Sequence, residues 1–263
     1  MSIQGSMSEL KQYFRFPFQD RESRSRFALG CALMLAGYVF PIIPGLLVYG
    51  YALRILRLSA RGEAPSMPAW EDWPGLLSLG FRGTIVQLAF TLPALAVFLV
   101  GFTAYFGAII PFSIASSTEA SVSDPAILLV FVAMLILMLS IVIGSVLFVL
   151  GILPLPASVA HFAAQDRLAA AFRIREWSRI LSANKLGYFV AFVVVSGVFG
   201  IAYWAFMILY STVVLLCFGF LVVVPAGLYT MLVGAALFGE AYRDGAESLQ
   251  ARSEAATGTA IAA

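Results

Sequence analysis

Four long stretches of the chain carry no charged side chain: Phe27 to Leu53, Gly83 to Thr118, Pro125 to Gln165 and Leu186 to Gly239. The last runs for 54 residues and the others for 27, 36 and 41. A helix needs about 20 apolar residues to cross a hydrocarbon core about 30 Å thick. Backbone polar groups in lipid must be paired within one helix or around a closed barrel. These stretches do not alternate apolar and polar positions, and they far exceed the roughly ten residues of a barrel strand. The pattern therefore predicts an all-α fold, a polytopic transmembrane helical bundle.

The middle two stretches each predict one crossing, near 84–110 and 126–153. The fourth is long enough for two, 187–209 and 213–239, turning near Tyr210-Ser211-Thr212. The first is too short to cross twice and holds Phe40-Pro41-Ile42-Ile43-Pro44 at its centre. Proline removes a helix hydrogen bond and clashes with the preceding turn. Residues 27–61 then read as a re-entrant or broken-helix hairpin, bent at Pro44-Gly45. The alternative is a single crossing that leaves the N-terminal segment outside. A single transmembrane domain, 27–239, thus lies between an N-terminal segment, 1–26, and a C-terminal tail, 240–263, which ends in small residues and is expected to fray.

Charge gives the expected orientation. Lys and Arg accumulate on cytoplasmic loops. Lys11, Arg15, Arg21, Arg24 and Arg26 precede the first stretch, and Arg54, Arg57, Arg61 and Arg82 follow it. Arg167, Arg173, Arg175, Arg179 and Lys185 lie in 166–185, whereas the loop before Pro125 carries only Glu119 and Asp124. Both termini, 54–82 and 166–185 therefore read as cytoplasmic. Arg54, Arg57 and Arg61 share one helical face, where they could snorkel to headgroups.

Composition agrees: 61% of the residues are hydrophobic and 11% charged, against roughly 25% charged in a soluble domain. A net charge of +2 implies no nucleic-acid partner. The expected partners are the lipid bilayer and either a second copy or another membrane protein. Small residues at four-residue spacing suit such helix contacts, at Ala28, Ala32 and Ala36, and at Ala226, Thr230 and Gly234. Cys31 and Cys217 both fall in apolar stretches and read as small hydrophobes.

Two cytoplasmic segments match each other. Trp73-Pro-Gly-Leu-Leu-Ser leads to Gly83, and Trp177-Ser-Arg-Ile-Leu-Ser leads to Gly187. Either a repeat or a coincidence of common residues explains this. Segment 166–185 reads as an interfacial amphipathic helix, with Ala170, Ile174, Trp177 and Leu181 on its apolar face. Pro44-Gly45, Pro156-Ala157 and Pro225-Ala226 each precede the next charge by 10 to 15 residues.

Candidate chemistry is sparse. His161 is the only histidine, with Ser158 and Asp166 near it in sequence. No strained nucleophile turn accompanies them, so an interfacial hydrogen-bonded histidine is the plainer reading. One histidine without clustered cysteines offers too few ligands for a metal, and no cofactor is expected. The loop with Trp70, Glu71, Asp72 and Trp73 could bind a ligand, or anchor at the interface while its acids cap a helix. No ionisable residue lies inside a predicted span, where coupled transporters usually place one.

Gly50-Tyr-Ala-Leu-Arg54, the Met67-Pro-Ala-Trp-Glu-Asp-Trp73 loop and Gly80-Phe-Arg82 resemble a prokaryotic membrane family, domain of unknown function 4013. The resemblance covers most of residues 10–245 and is strongest over 38–95. It implies a multi-pass protein of the prokaryotic inner membrane and supplies no catalytic residues. The expectation is a non-enzymatic, permease-like or membrane-organising component. One rival is a transporter with a site at the Pro41/Pro44 and Pro154/Pro156 breaks. Another is a lipid-modifying enzyme working around His161 and Trp70–Trp73.

Overall fold

The computed structural model describes residues 11–117, 124–211 and 219–261. Thr212 of the expected last turn, the first residues of the 213–239 helix, Cys217 and Glu119 lie outside them. Among the described residues there is no strand, and five helices are long and apolar enough to cross a membrane. The elements are α1 (Arg21–Ala36), α2 (Ile42–Ala60), α3 (Trp73–Ser117), α4 (Asp124–Ile152) and α5 (Leu155–Gln165), then α6 (Leu168–Ala171), α7 (Ile174–Ala183), α8 (Lys185–Ser211) and α9 (Gly219–Ile261). The chain divides into two compact units, Met1–Ile85 with Pro156–Ala263, and Val86–Leu155.

The first apolar stretch is split between α1 and α2. Helix α1 starts at Arg21, inside the expected polar segment, because the Asp20 carboxylate accepts from the Ser23 N–H at 2.6 Å and caps it. The chain leaves the helix at Gly37 and re-enters after Pro41. The expected bend at Pro44-Gly45 is therefore corrected: the break precedes it. Pro44 is the third residue of α2, in the first turn, where an N–H would have no intrahelical partner. The connection and the first turn of α2 project Tyr38, Val39, Phe40, Ile42 and Ile43, each more than half exposed.

Helices α2 and α9 form the centre of the larger unit. About half of the apolar part of each is buried, against little of α8. Side chains at Leu47, Tyr51, Ile55 and Leu56 of α2 and at Leu228, Leu232 and Ala236 of α9 are almost fully enclosed. The Ser59 hydroxyl donates to the Ala236 carbonyl at 2.7 Å. Gly239 lets the two backbones approach, since a Cβ there would lie 2.5 Å from the Leu56 carbonyl oxygen. A second close crossing joins α2 to the start of α3. A Cβ on Gly50 would run into the Leu76 carbonyl oxygen, and one on Gly80 into that of Leu46. Small residues at such crossings are how helices gain contact in lipid.

One of the two small-residue stripes serves this unit. Ala226 and Thr230 line an apolar groove beside α8, and Gly234 faces Val195. Ala28 and Ala32 are exposed instead; Ser23, Phe27 and Gly30 form the inward face of α1.

Segment 166–185 forms two short helices. Trp177 and Ile180 point inward, while Ile174, expected beside Trp177, is 61% exposed. The face is set by α9, whose Gly245 would place a Cβ 2.6 Å from the Ile180 carbonyl oxygen. The two matching tryptophans differ in setting. Trp73 opens α3, which runs unbroken through Gly83, and is 39% exposed. Trp177 is 5% exposed on a helix that ends before Asn184. The expected tail does not begin by fraying, because α9 continues to Ile261 with Ala241 and Tyr242 buried.

The smaller unit is an antiparallel pairing of α3 and α4. Gly101 faces Ser140, Gly144 faces the Phe98 ring and Gly151 faces the Phe90 carbonyl. Leu128, Leu135, Val142 and Leu150 on α4 are each 60% exposed or more, as expected of side chains that meet lipid.

Candidate functional site

Two polar clusters lie in the larger unit, both close to where apolar helices give way to charged residues. The first is built on the end of α2 and the start of α3. Arg54, Arg57, Asp72, Leu76, Arg82 and Asp166 line a cavity of about 240 Å³. Asp72 is the residue before α3, and its carboxylate accepts from the Gly75 N–H at 3.0 Å, so its role is to cap the helix. Asp166 follows α5 in the left-handed region, with φ of 54°. Glycine usually holds this position after a helix, and Asp tolerates it better than most. Here the carboxylate takes Arg57 Nη2 at 2.8 Å and Arg82 Nη1 at 3.2 Å. The Arg82 guanidinium also lies 5.8 Å from the centre of the Phe162 ring.

Next to this cavity the 61–72 loop is pinned to the helices. The Tyr51 and Trp70 rings stack at 3.9 Å, nearly parallel. Trp70 donates its indole N–H to the Arg26 carbonyl at 3.1 Å, and Tyr51 its hydroxyl to the Pro68 carbonyl at 2.8 Å. Arg26 bonds the Met67 carbonyl and pairs with Glu22. Trp70 is thus a buried fastener, and Trp73 remains at the surface.

His161 is the hub of the second cluster and is 3% exposed. Its Nδ1 lies 2.8 Å from the Tyr242 hydroxyl, and its Nε2 3.1 Å from a Glu176 carboxylate oxygen. An ionised carboxylate only accepts, so Nε2 carries the proton and Tyr242 donates to Nδ1. The Gln165 amide nitrogen lies 2.9 Å from Nε2 but, being itself a donor, hydrogen-bonds the Glu176 carboxylate, and Arg173 holds the other Glu176 oxygen at 3.2 Å. Ser158 is not a partner of this histidine; its hydroxyl donates to the Ala171 carbonyl at 2.9 Å, beside the Trp177 indole on the same acceptor. The cluster joins α5, α7 and α9.

The hydrogen bond from His161, helped by the Arg173 charge, holds the Glu176 carboxyl below its ordinary value of 4.5. A depressed pKa stabilises the fold above the unfolded value, and that contribution disappears as pH falls through the folded one. A Glu176→Gln variant is therefore expected to lose less thermal stability than the parent on acidification below pH 4.5. Parallel acid profiles for the two proteins would contradict this.

The remaining residues singled out in the sequence are dispersed. Gly45 has open space around it, Pro156 is the second residue of α5, and Pro225 lies inside α9. The sequence reading missed the ion triad and the partners Tyr242 and Tyr51. It had one usable signal: Arg82 is the last charge before the second stretch and Asp166 the first after the third. Among the described residues no group of His, Cys, Asp and Glu could hold a metal.

No curated protein and no solved structure matches the chain. A family model does match, over residues 33–211, a narrower span than 10–245. The apolar helices make this a membrane protein, and it belongs to the family described as "Protein of unknown function (DUF4013)".

Proposed function

We propose that the chain is a non-enzymatic, multi-pass protein of the prokaryotic cell membrane that organises neighbouring membrane components. The observation that supports it best is how the polar groups are used. Both ring nitrogens of the buried His161 are engaged, Asp72 caps α3, and Asp166 is shared by two arginines. These groups bind the fold together, whereas a general base must reach a substrate proton. The arginines of 54–82 and 166–185 favour a cytoplasmic position for that end and for both termini.

Blue-native electrophoresis of a mild detergent extract tests the role. A larger assembly, with itself or another membrane protein, is expected. A monomer stabilised by an added solute would replace this reading with the transporter. A lipid conversion lost on His161→Gln or Asp72→Asn would replace it with the enzyme. For orientation, a single cysteine at the exposed Arg61, with Cys31 and Cys217 replaced by alanine, is expected to react with a membrane-impermeant thiol reagent only after cells are opened. Labelling of intact cells would invert the topology.

A further inference from the structure

The arginine-lined cavity is more positive than its internal partners require. Three guanidiniums, Arg54, Arg57 and Arg82, face two carboxylates, Asp72 and Asp166. Of these, Asp72 is engaged with the helix end, and Asp166 serves Arg57 and Arg82 together. Among the described residues Arg54 has no ion pair or hydrogen bond. The Nε of Arg57 is buried and has no acceptor. A buried donor without an acceptor is costly, so such groups signal a missing partner. The first turn of α3, with Gly75 and Leu76 in the wall, adds the positive end of a helix dipole.

We propose that this cavity binds a phosphate group. Guanidinium forks match the paired oxygens of phosphate, and three around one cavity share its charge. The volume of about 240 Å³ is far more than the ~10–15 Å³ that one water needs, so a phosphate ester fits. The source is either free phosphate or the headgroup of an anionic phospholipid. Position makes the headgroup accessible: Arg54 is the first charge after one apolar stretch and Arg82 the last before the next. Leu76 and Leu79 supply apolar wall beside the arginines. The lipid source rests on the membrane reading above; the phosphate chemistry does not.

The test uses the full chain purified in mild detergent. Its melting temperature is measured with inorganic phosphate, with phosphatidylglycerol and with phosphatidylcholine. Arg54→Gln is the informative variant, because that side chain has no partner whose loss would unfold the protein. Arg61→Gln removes the same charge from the same end of α2, outside the cavity wall. Stabilisation by phosphatidylglycerol but not phosphatidylcholine, weakened roughly tenfold in midpoint by Arg54→Gln and little by Arg61→Gln, is expected for one lost charge-assisted hydrogen bond. If inorganic phosphate also stabilises and competes with the lipid, free phosphate is a ligand as well; stabilisation by phosphate alone assigns the site to the free ion. Equal effects of the two substitutions would overturn the proposal in favour of diffuse surface charge. So would indifference to both anions. Membrane fractionation is scored separately: a chain that stays with membranes and ignores both anions refutes this proposal alone, and one recovered in the soluble fraction refutes the membrane reading.

Discussion

Replacing Gly50 with alanine is expected to destabilise the protein strongly. The added methyl would occupy the place of the Leu76 carbonyl oxygen, with the Gly80 backbone nitrogen 3.0 Å away. These are backbone atoms, which no rotamer change can move aside, so α2 and α3 must separate. Overpacking a well-packed contact typically costs about 1–3 kcal/mol, and this site belongs at the upper end because a helix axis must shift. Gly80→Ala should act alike, since its Cβ meets the Leu46 carbonyl from the other side. Gly45→Ala is the control: it lies on the same helix, and its Cβ would meet nothing within 4 Å. There the removal of glycine's flexibility should be neutral or slightly stabilising. Thermal unfolding in detergent distinguishes them; equal melting temperatures for G50A and G45A would remove the crossing from the account.

The second large effect is expected at His161. Phenylalanine there roughly preserves the ring volume but leaves the buried Tyr242 hydroxyl without the nitrogen it donates to. A stranded buried group costs about 1–3 kcal/mol. The double variant His161→Phe with Tyr242→Phe removes both partners and should regain part of the loss, because apolar replacement of a whole pair is close to neutral. A double variant less stable than H161F alone would mean that the ring shapes, rather than their polar link, hold α5 and α9 together. Unfolding of the parent, both single variants and the double variant in the same detergent completes the cycle, and the departure from additivity is the coupling energy.

The helical character and the extent of the apolar segments were legible because lipid imposes one rule on every backbone group. What the sequence could not supply were boundaries set by individual caps. Asp72 starts α3 about ten residues before the expected 84, and Asp20 starts α1 within a stretch dense in arginine. Pro44 misled for a related reason: proline breaks a helix in its interior but is tolerated in its first turn. The site was less legible. Trp70 and Asp72 stand out in the sequence as an aromatic and acidic patch, yet a binding loop and a fastened loop share that composition. Their difference lies in the Tyr51 stack and the Arg26 carbonyl, both distant in sequence. Likewise, His161 was visible as a lone titratable group. Tyr242, its partner 81 residues away, lay in a stretch whose composition suggested an unstructured end.

The contact between α2 and α9 also sets the timing of assembly. Ser59 and its acceptor on Ala236 are separated by 177 residues. At a synthesis rate of about 5–20 residues per second, the second follows the first by roughly ten to thirty-five seconds. During that interval α2 has none of its α9 contacts. A chain stalled before Gly219 would leave α2 without the partner that covers its inner face.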